Sequence, residues 1–259
     1  MPPEPIRSAY AAWRWSVAWE WPGLATTWRL ERPRCEPVRF LKVVQSGHYP
    51  TALDEADRLR WARAYLPVPE VIESGSDGTV DWLITVELAG VDASRHRLKA
   101  DPVRLVSILA RGLAAFHAAA SVSACPYDFR VATSIAHVRR RVRLGIANHD
   151  DLHPEHAHLT LDAALAELER LAPASEDLVV CHGDYCFPNV LLDGQGRLTG
   201  YVDLGELAVA DRWWDVTVGA WSTTWNVGPG WEHLFYESYG IEPDEQRIAF
   251  NRLLYDLSS

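Results

Sequence analysis

The sequence predicts an α+β protein of two lobes, β-rich in its N-terminal part and mainly helical in its C-terminal part. Alternating apolar and polar residues crowd the first third, as half-buried strands require. From about residue 101 the apolar spacing becomes helical. Two short strand-like runs, DLVVCH and RLTGYVDL, interrupt that helical remainder. With 259 residues and 48% hydrophobic content, the chain can fill two cores. We expect a first lobe over 1–86, a packed hinge over 87–91 and a second lobe over 92–259.

Each element has its own signal. Residues 13–21 (WRWSVAWEW) alternate as a strand, Pro22-Gly23 turns the chain, and TTWRLE and VRFLKVV extend the sheet. Residues 51–64 (TALDEADRLRWARA) read as a helix with Leu53, Leu59 and Trp61 on or near its apolar face. LPVPEVIE and DWLITVEL read as two strands around a Ser-Gly-Ser-Asp-Gly turn. The hinge falls at Glu87-Leu88-Ala89-Gly90, with no flexible-linker composition around it. VRLVSILARGLAAFHAA, SIAHVRRRVRLGI and LDAALAELERL are helices, and residues 207–226 and 230–256 read as helices with loops.

Composition removes several function classes. Thirty-five acidic against 25 basic residues give a net charge of −10, which disfavours a nucleic acid or an anionic membrane as partner. No run approaches the ~20 apolar residues of a membrane span, and Arg7, Arg14 and Glu20 break any signal-peptide core. A cytoplasmic protein is expected. Cys35, Cys125, Cys181 and Cys186 form no C-x-x-C pair and read as reduced thiols. Only Lys42 and Lys99 are lysines, so a lysine kept inside an apolar strand stands out.

The chemistry concentrates in VCHGDYCFPNVLLDGQGRLTGYVDLGELAVADRWWD (180–215). His182-Gly183-Asp184 is followed by Asn189 and then by Asp203-Leu204-Gly205. Phosphoryl transfer needs a carboxylate beside the attacking hydroxyl and oxygen ligands for metal ions over the phosphates. Asp184 is the expected general base, His182 braces its loop, and Asn189 and Asp203 are the expected magnesium ligands. Lys42, in the apolar run FLKV, is the expected phosphate-binding cation, and Glu55 on the next helix its carboxylate partner. An edge-strand lysine snorkelling to water is the competing reading of Lys42. Gly23, Thr26 and Thr27 form the expected loop over the nucleotide phosphates, where a plain hairpin turn fits equally well. No G-x-x-x-x-G-K-[ST] occurs, which excludes a P-loop enzyme at the level of motifs. No A-P-E follows Asp203-Leu204-Gly205 in the manner of a protein kinase.

These motifs, with LPVPEVIE (66–73), ITVELAGV (84–91), LAAFHAAASVSACPYD (113–128), GIANHDDLHPEH (145–156) and YGIEPDEQRIAFNRLLYD (239–256), resemble the aminoglycoside phosphotransferase family nearly end to end. The resemblance implies a bilobal protein-kinase-like fold and magnesium with ATP or GTP. It implies the same roles for Asp184, Asn189, Asp203, Lys42 and Glu55, and places the purine at the backbone of Glu87 and Leu88. The chain departs from the family pattern on the substrate side. Glu206 stands where the family reads arginine, and 216–231 carries no acid. The tail after Tyr255 keeps only Asp256 of the family's C-terminal acids. Trp214, Trp221 and Trp225 form one helical stripe, which serves either as core or as a stacking surface. Asp150, Asp151 and Glu155 are either a residual cation-binding set or a solvated face. With these eight residues on the substrate side, the expected activity is antibiotic inactivation by phosphorylation of a sugar hydroxyl. The favoured substrate is a weakly basic nucleoside drug of the capuramycin type. The alternatives are 3′-phosphorylation of kanamycin- or neomycin-type aminoglycosides, and a metabolic small-molecule kinase of the same fold.

Overall fold

The structure, a computed structural model, describes residues 2–32 and 36–258, so Cys35 lies outside the described residues. In chain order the elements are α1 (Glu4–Ala9), β1 (Arg14–Trp21), β2 (Ala25–Glu31), β3 (Arg39–Gln45), α2 (Ala52–Ala62), β4 (Val71–Ser76), β5 (Val80–Val86) and β6 (Val91–Asp92). There follow α3 (Pro102–Ala119), α4 (Val131–Arg143), α5 (Leu161–Leu171), β7 (Leu178–Cys181), β8 (Val190–Leu192), β9 (Leu198–Tyr201) and β10 (Ala208–Asp211). The chain closes with α6 (Trp213–Val227), α7 (Glu232–Tyr239) and α8 (Glu245–Ser258). The α+β expectation holds, with strands gathered early and helices late. Two compact units result: Met1–Val91 with Leu191–Glu206, and Asp92–Val190 with Leu207–Ser259. Residues 191–206 therefore pack with the first unit rather than with the rest of 92–259.

The first unit is built on a five-stranded antiparallel sheet in the order β1-β2-β3-β5-β4. Central β3 has β2 on one side and β5 on the other, so Lys42 sits between Thr27 and Leu83. An edge-strand lysine is thereby ruled out. Leu30, Leu41, Val43 and Ile84 form the core with Ile6, Tyr10 and Trp13. Helix α2 begins at a capping box, in which Thr51 accepts from the Asp54 N–H and the Asp54 carboxylate accepts from the Thr51 N–H. That cap fixes where Glu55 emerges. The run LPVPEVIE becomes a strand only from Val71, since Pro67 and Pro69 supply no ladder donors. The Pro67 carbonyl instead accepts the Tyr201 N–H. Gly200 is required here, because a Cβ would press on the Leu88 side chain and the Pro67 carbonyl.

In the second unit, α4, α5, α6 and α8 bury a core of Val138, Leu168, Val179, Trp214, Phe250, Leu253 and Leu257. Strand β10, expected as the start of a helix, pairs antiparallel with β7 and sets Ala208 opposite Cys181. Its four buried residues run straight into the equally apolar α6, and so short an apolar run has no period that separates strand from helix. Among the described residues, no helix is long and apolar enough to cross a membrane.

Candidate active site

The second unit holds the Asp184 loop. After β7, Gly183 adopts a φ of 98°, a conformation in which a side chain would be strained, and turns the chain between His182 and Asp184. The loop is tied down by Asp215 in the first turn of α6. Its fully buried carboxylate accepts the backbone N–H of His182 at 2.6 Å and of Gly183 at 3.0 Å. It also meets His117 Nε2 at 3.0 Å, while His117 Nδ1 lies 2.7 Å from the Tyr239 hydroxyl. A carboxylate only accepts, so Nε2 donates to it. Cys181 lies beside this group, and burial pushes its thiol well above the usual range. Sequence reasoning missed Asp215, His117 and Tyr239. All three lie in segments that carry the family resemblance, but only the fold brings them together.

Asn189 follows on a short turn of 3-10 helix and is itself buried. Its Nδ2 donates to Asp184 Oδ2 at 2.8 Å and to the Asp184 carbonyl at 2.9 Å. The amide oxygen Oδ1 is thus turned away from the base as a neutral oxygen donor. The other oxygen of Asp184, Oδ1, lies 3.4 Å from the Tyr255 hydroxyl on α8.

The first unit holds the cation. Lys42 Nζ lies 2.7 Å from Glu55 Oε2 and 2.7 Å from Asp203 Oδ1. Burial works to lower the lysine, but the carboxylates of Asp203 and Glu55 outweigh it and hold the ammonium well above the ordinary range. Glu55 is raised, chiefly by burial, with Lys42 opposing and Asp203 adding to the shift. Two carboxylates here share one cation. Asp203 is the one non-glycine among the described residues with a positive φ, 61°, a strained backbone of the kind that functional sites retain. Its side chain pairs with Lys42 and is 45% exposed, and a carboxylate is a donor of the kind that a hard cation takes. The oxygen donors Asp203 and Asn189 are thus each of the kind magnesium prefers.

The remaining expected nucleotide residues fall in the same unit. Gly23, with φ 79°, forms the β1–β2 turn, while Thr26 and Thr27 lie in β2, Thr27 opposite Lys42. The Glu87 N–H is already taken by the Val38 carbonyl, and the Glu87 side chain pairs with Arg29. Glu206 lies near Tyr49, whose hydroxyl is pushed up to about 12 by burial and then by the Glu206 charge.

The substrate-side set divides. Trp214 is core, not a ligand surface: it is 2% exposed and packs against Phe129 and Tyr255. Trp221 is also buried, wedged against His153 and Trp225. Trp225 keeps 42% of its surface open. Asp256 is not available to a ligand, because its buried carboxylate accepts from His153 Nδ1 at 2.5 Å, His156 Nδ1 at 2.7 Å and the His153 N–H at 3.0 Å. Burial alone would raise Asp256, but these histidine hydrogen bonds hold it below the ordinary aspartate range. Glu155 pairs with Arg252 at 3.2 Å, whereas Asp150 and Asp151 are exposed.

A model of the phosphotransferase enzyme family matches residues 23–250. The chain belongs to that phosphotransferase family. It is 38% identical over 261 residues to the aminoglycoside 3′-phosphotransferase of Streptomyces fradiae, covering 96% of this chain and 97% of that one. It is 39% identical over 208 residues to the aminoglycoside 3′-phosphotransferase of Streptomyces ribosidificus, covering 77% and 78%. Among solved structures it matches an aminoglycoside-3′-phosphotransferase of type VIII with a TM-score of 0.89, at 33% identity and over 98% and 96% of the two chains. These relatives of the phosphotransferase favour the aminoglycoside alternative over the expected capuramycin-type substrate. The loss of acids that motivated the nucleoside reading is a local change within a chain otherwise matched along its length.

Proposed function

We propose that this phosphotransferase moves the γ-phosphoryl group of ATP or GTP to the 3′-hydroxyl of a kanamycin- or neomycin-type aminoglycoside. The match to the Streptomyces fradiae enzyme, which runs through almost the whole of both chains, carries the choice of substrate. Asp184 is the general base: the drug's oxygen attacks the γ-phosphorus, its proton passes to the Asp184 carboxylate, and the bond to the β-phosphate oxygen breaks to release the diphosphate. Asp215 keeps the Asp184 loop in place, so little reorganisation is needed when the hydroxyl arrives.

Lys42 binds the α- and β-phosphates, oriented by Glu55. Asp203 and Asn189 are the residues that would hold magnesium, which would supply charge neutralisation for the phosphates. Gly23, Thr26 and Thr27 cover the phosphates, and the backbone near Glu87 and Leu88 receives the purine through groups other than the Glu87 N–H. The test is turnover of purified protein with kanamycin and neomycin, with ATP and GTP in parallel. Nucleotide-dependent phosphorylation of either drug that falls about 100-fold or more in Asp184→Ala supports the reading. Turnover of neither drug refutes it, and an Asp184→Ala variant of normal rate refutes the assigned base.

A further inference from the structure

An aromatic surface begins beside the base. The Tyr255 hydroxyl lies 3.4 Å from Asp184 Oδ1, and the Tyr255 ring centroid is 6.2 Å from those of both Trp225 and His153. His153 lies nearly flat on Trp225, with centroids 5.1 Å apart and planes at 15°. Trp221 packs against the same imidazole at 4.3 Å. The imidazole cannot swing, because Asp256 holds both its Nδ1 and its backbone N–H. Trp225 is therefore an exposed indole fixed by a stacked and hydrogen-bonded neighbour. Little side-chain freedom remains to be lost when something lands on it.

The acids around this surface already have partners. Asp256 is hydrogen-bonded by the two histidines, and Glu155 and Glu232 both pair with Arg252, whose guanidinium also lies over Trp221 at 5.1 Å. Such a surface offers an ammonium group little. It does suit the C–H face of a sugar ring, which packs on aromatic side chains through apolar burial.

We propose that Trp225 and His153 form a platform for the sugar ring that carries the acceptor hydroxyl, and that Tyr255 is a positioning residue for the Asp184 carboxylate. This rests on the aminoglycoside reading and deepens it: the platform prefers an acceptor ring bearing hydroxyls to one bearing an additional amine. Kanamycin A and kanamycin B differ in that respect at the 2′ position, so KM is lower for kanamycin A.

The experiment is steady-state kinetics on both drugs with wild type, Trp225→Leu, Trp225→Phe and Tyr255→Phe. Trp225→Leu keeps an apolar side chain without a ring face and should raise the drug KM about tenfold, or ~1.4 kcal/mol. Trp225→Phe should restore it to within about threefold, and neither should move the KM for ATP. Tyr255→Phe should lower kcat about fivefold or more while leaving the drug KM within about twofold. Equal drug KM values for Trp225→Leu and wild type overturn the platform while leaving the proposed function intact. Parallel losses in drug and ATP affinity overturn it as well, by revealing a purely structural role. A Tyr255→Phe variant of unchanged kcat overturns the positioning role. Wild type that turns over neither drug overturns the proposed function and the platform together.

Discussion

Asp215→Asn isolates the group that holds the catalytic loop. The wild-type carboxylate has no exposed surface and accepts three hydrogen bonds, from the N–H groups of His182 and Gly183 and from His117 Nε2. Asparagine has the same shape but replaces one accepting oxygen with a donor. At least one backbone N–H then faces an NH2 group with no water to turn to. A buried donor left unpaired costs about 1–3 kcal/mol, and bonds that lose charge assistance weaken by roughly 1 kcal/mol more. The variant should lose ~3 kcal/mol, a large share of a typical total of about 5–15 kcal/mol. At roughly 2–4 °C per kcal/mol for a chain of this size, Tm should fall by about 6–12 °C. Because the freed N–H belongs to His182 or Gly183, just before the base, kcat should fall about tenfold or more at temperatures where the variant is fully folded. Thermal denaturation and turnover on the same preparation give both numbers. A Tm within about 2 °C of wild type, with kcat within about twofold, would refute this account of the loop.

Lys42→Met removes the cation between two carboxylates, so the KM for ATP should rise about tenfold or more, and Glu55 and Asp203 should be left in mutual repulsion. An unchanged ATP KM would remove Lys42 from the nucleotide site. Asp256→Asn tests the histidine-held carboxylate through pH. A carboxyl held below its unfolded value, ~3.9 for aspartate, stabilises the fold above that value and loses its contribution as pH falls through that range toward its lower folded value. The stability gap between wild type and Asp256→Asn, measured by urea denaturation, should therefore be widest near neutrality and narrow below about pH 4. A gap constant across that range would contradict the assignment.

The strands and helices were legible wherever a long segment carried one clear period, as in β1 to β3, α3 and α5. Segment 207–212 was misread because the three apolar residues of β10 abut an apolar helix. The Lys42–Glu55 pair was partly legible: a lysine inside an apolar strand stood out beside the downstream motif, but the edge-strand reading was excluded only by the sheet order. The spacing of Asp184, Asn189 and Asp203 was legible, because local turns set their order. The support behind them was not. His117, Asp215 and Tyr239 come from three separate helices, and no local pattern announces that they share one buried network. The tryptophan stripe shows the limit of periodicity most plainly. Spacing put Trp214, Trp221 and Trp225 on one face of α6, yet the packing of α8 buries the first two and leaves the third open. Asp256 was misassigned for a related reason: sequence gave an acid near the terminus but not the two histidines that occupy it.

The most direct test of the central claim compares kanamycin with its 3′-deoxy counterpart under saturating ATP and magnesium, following ADP release and the position of the new phosphate by NMR. The account predicts one ADP per drug molecule for kanamycin, with phosphate on the 3′-oxygen, and no drug-dependent ADP release for the 3′-deoxy compound. Equal phosphorylation of both compounds, or a phosphate on another oxygen, would contradict it.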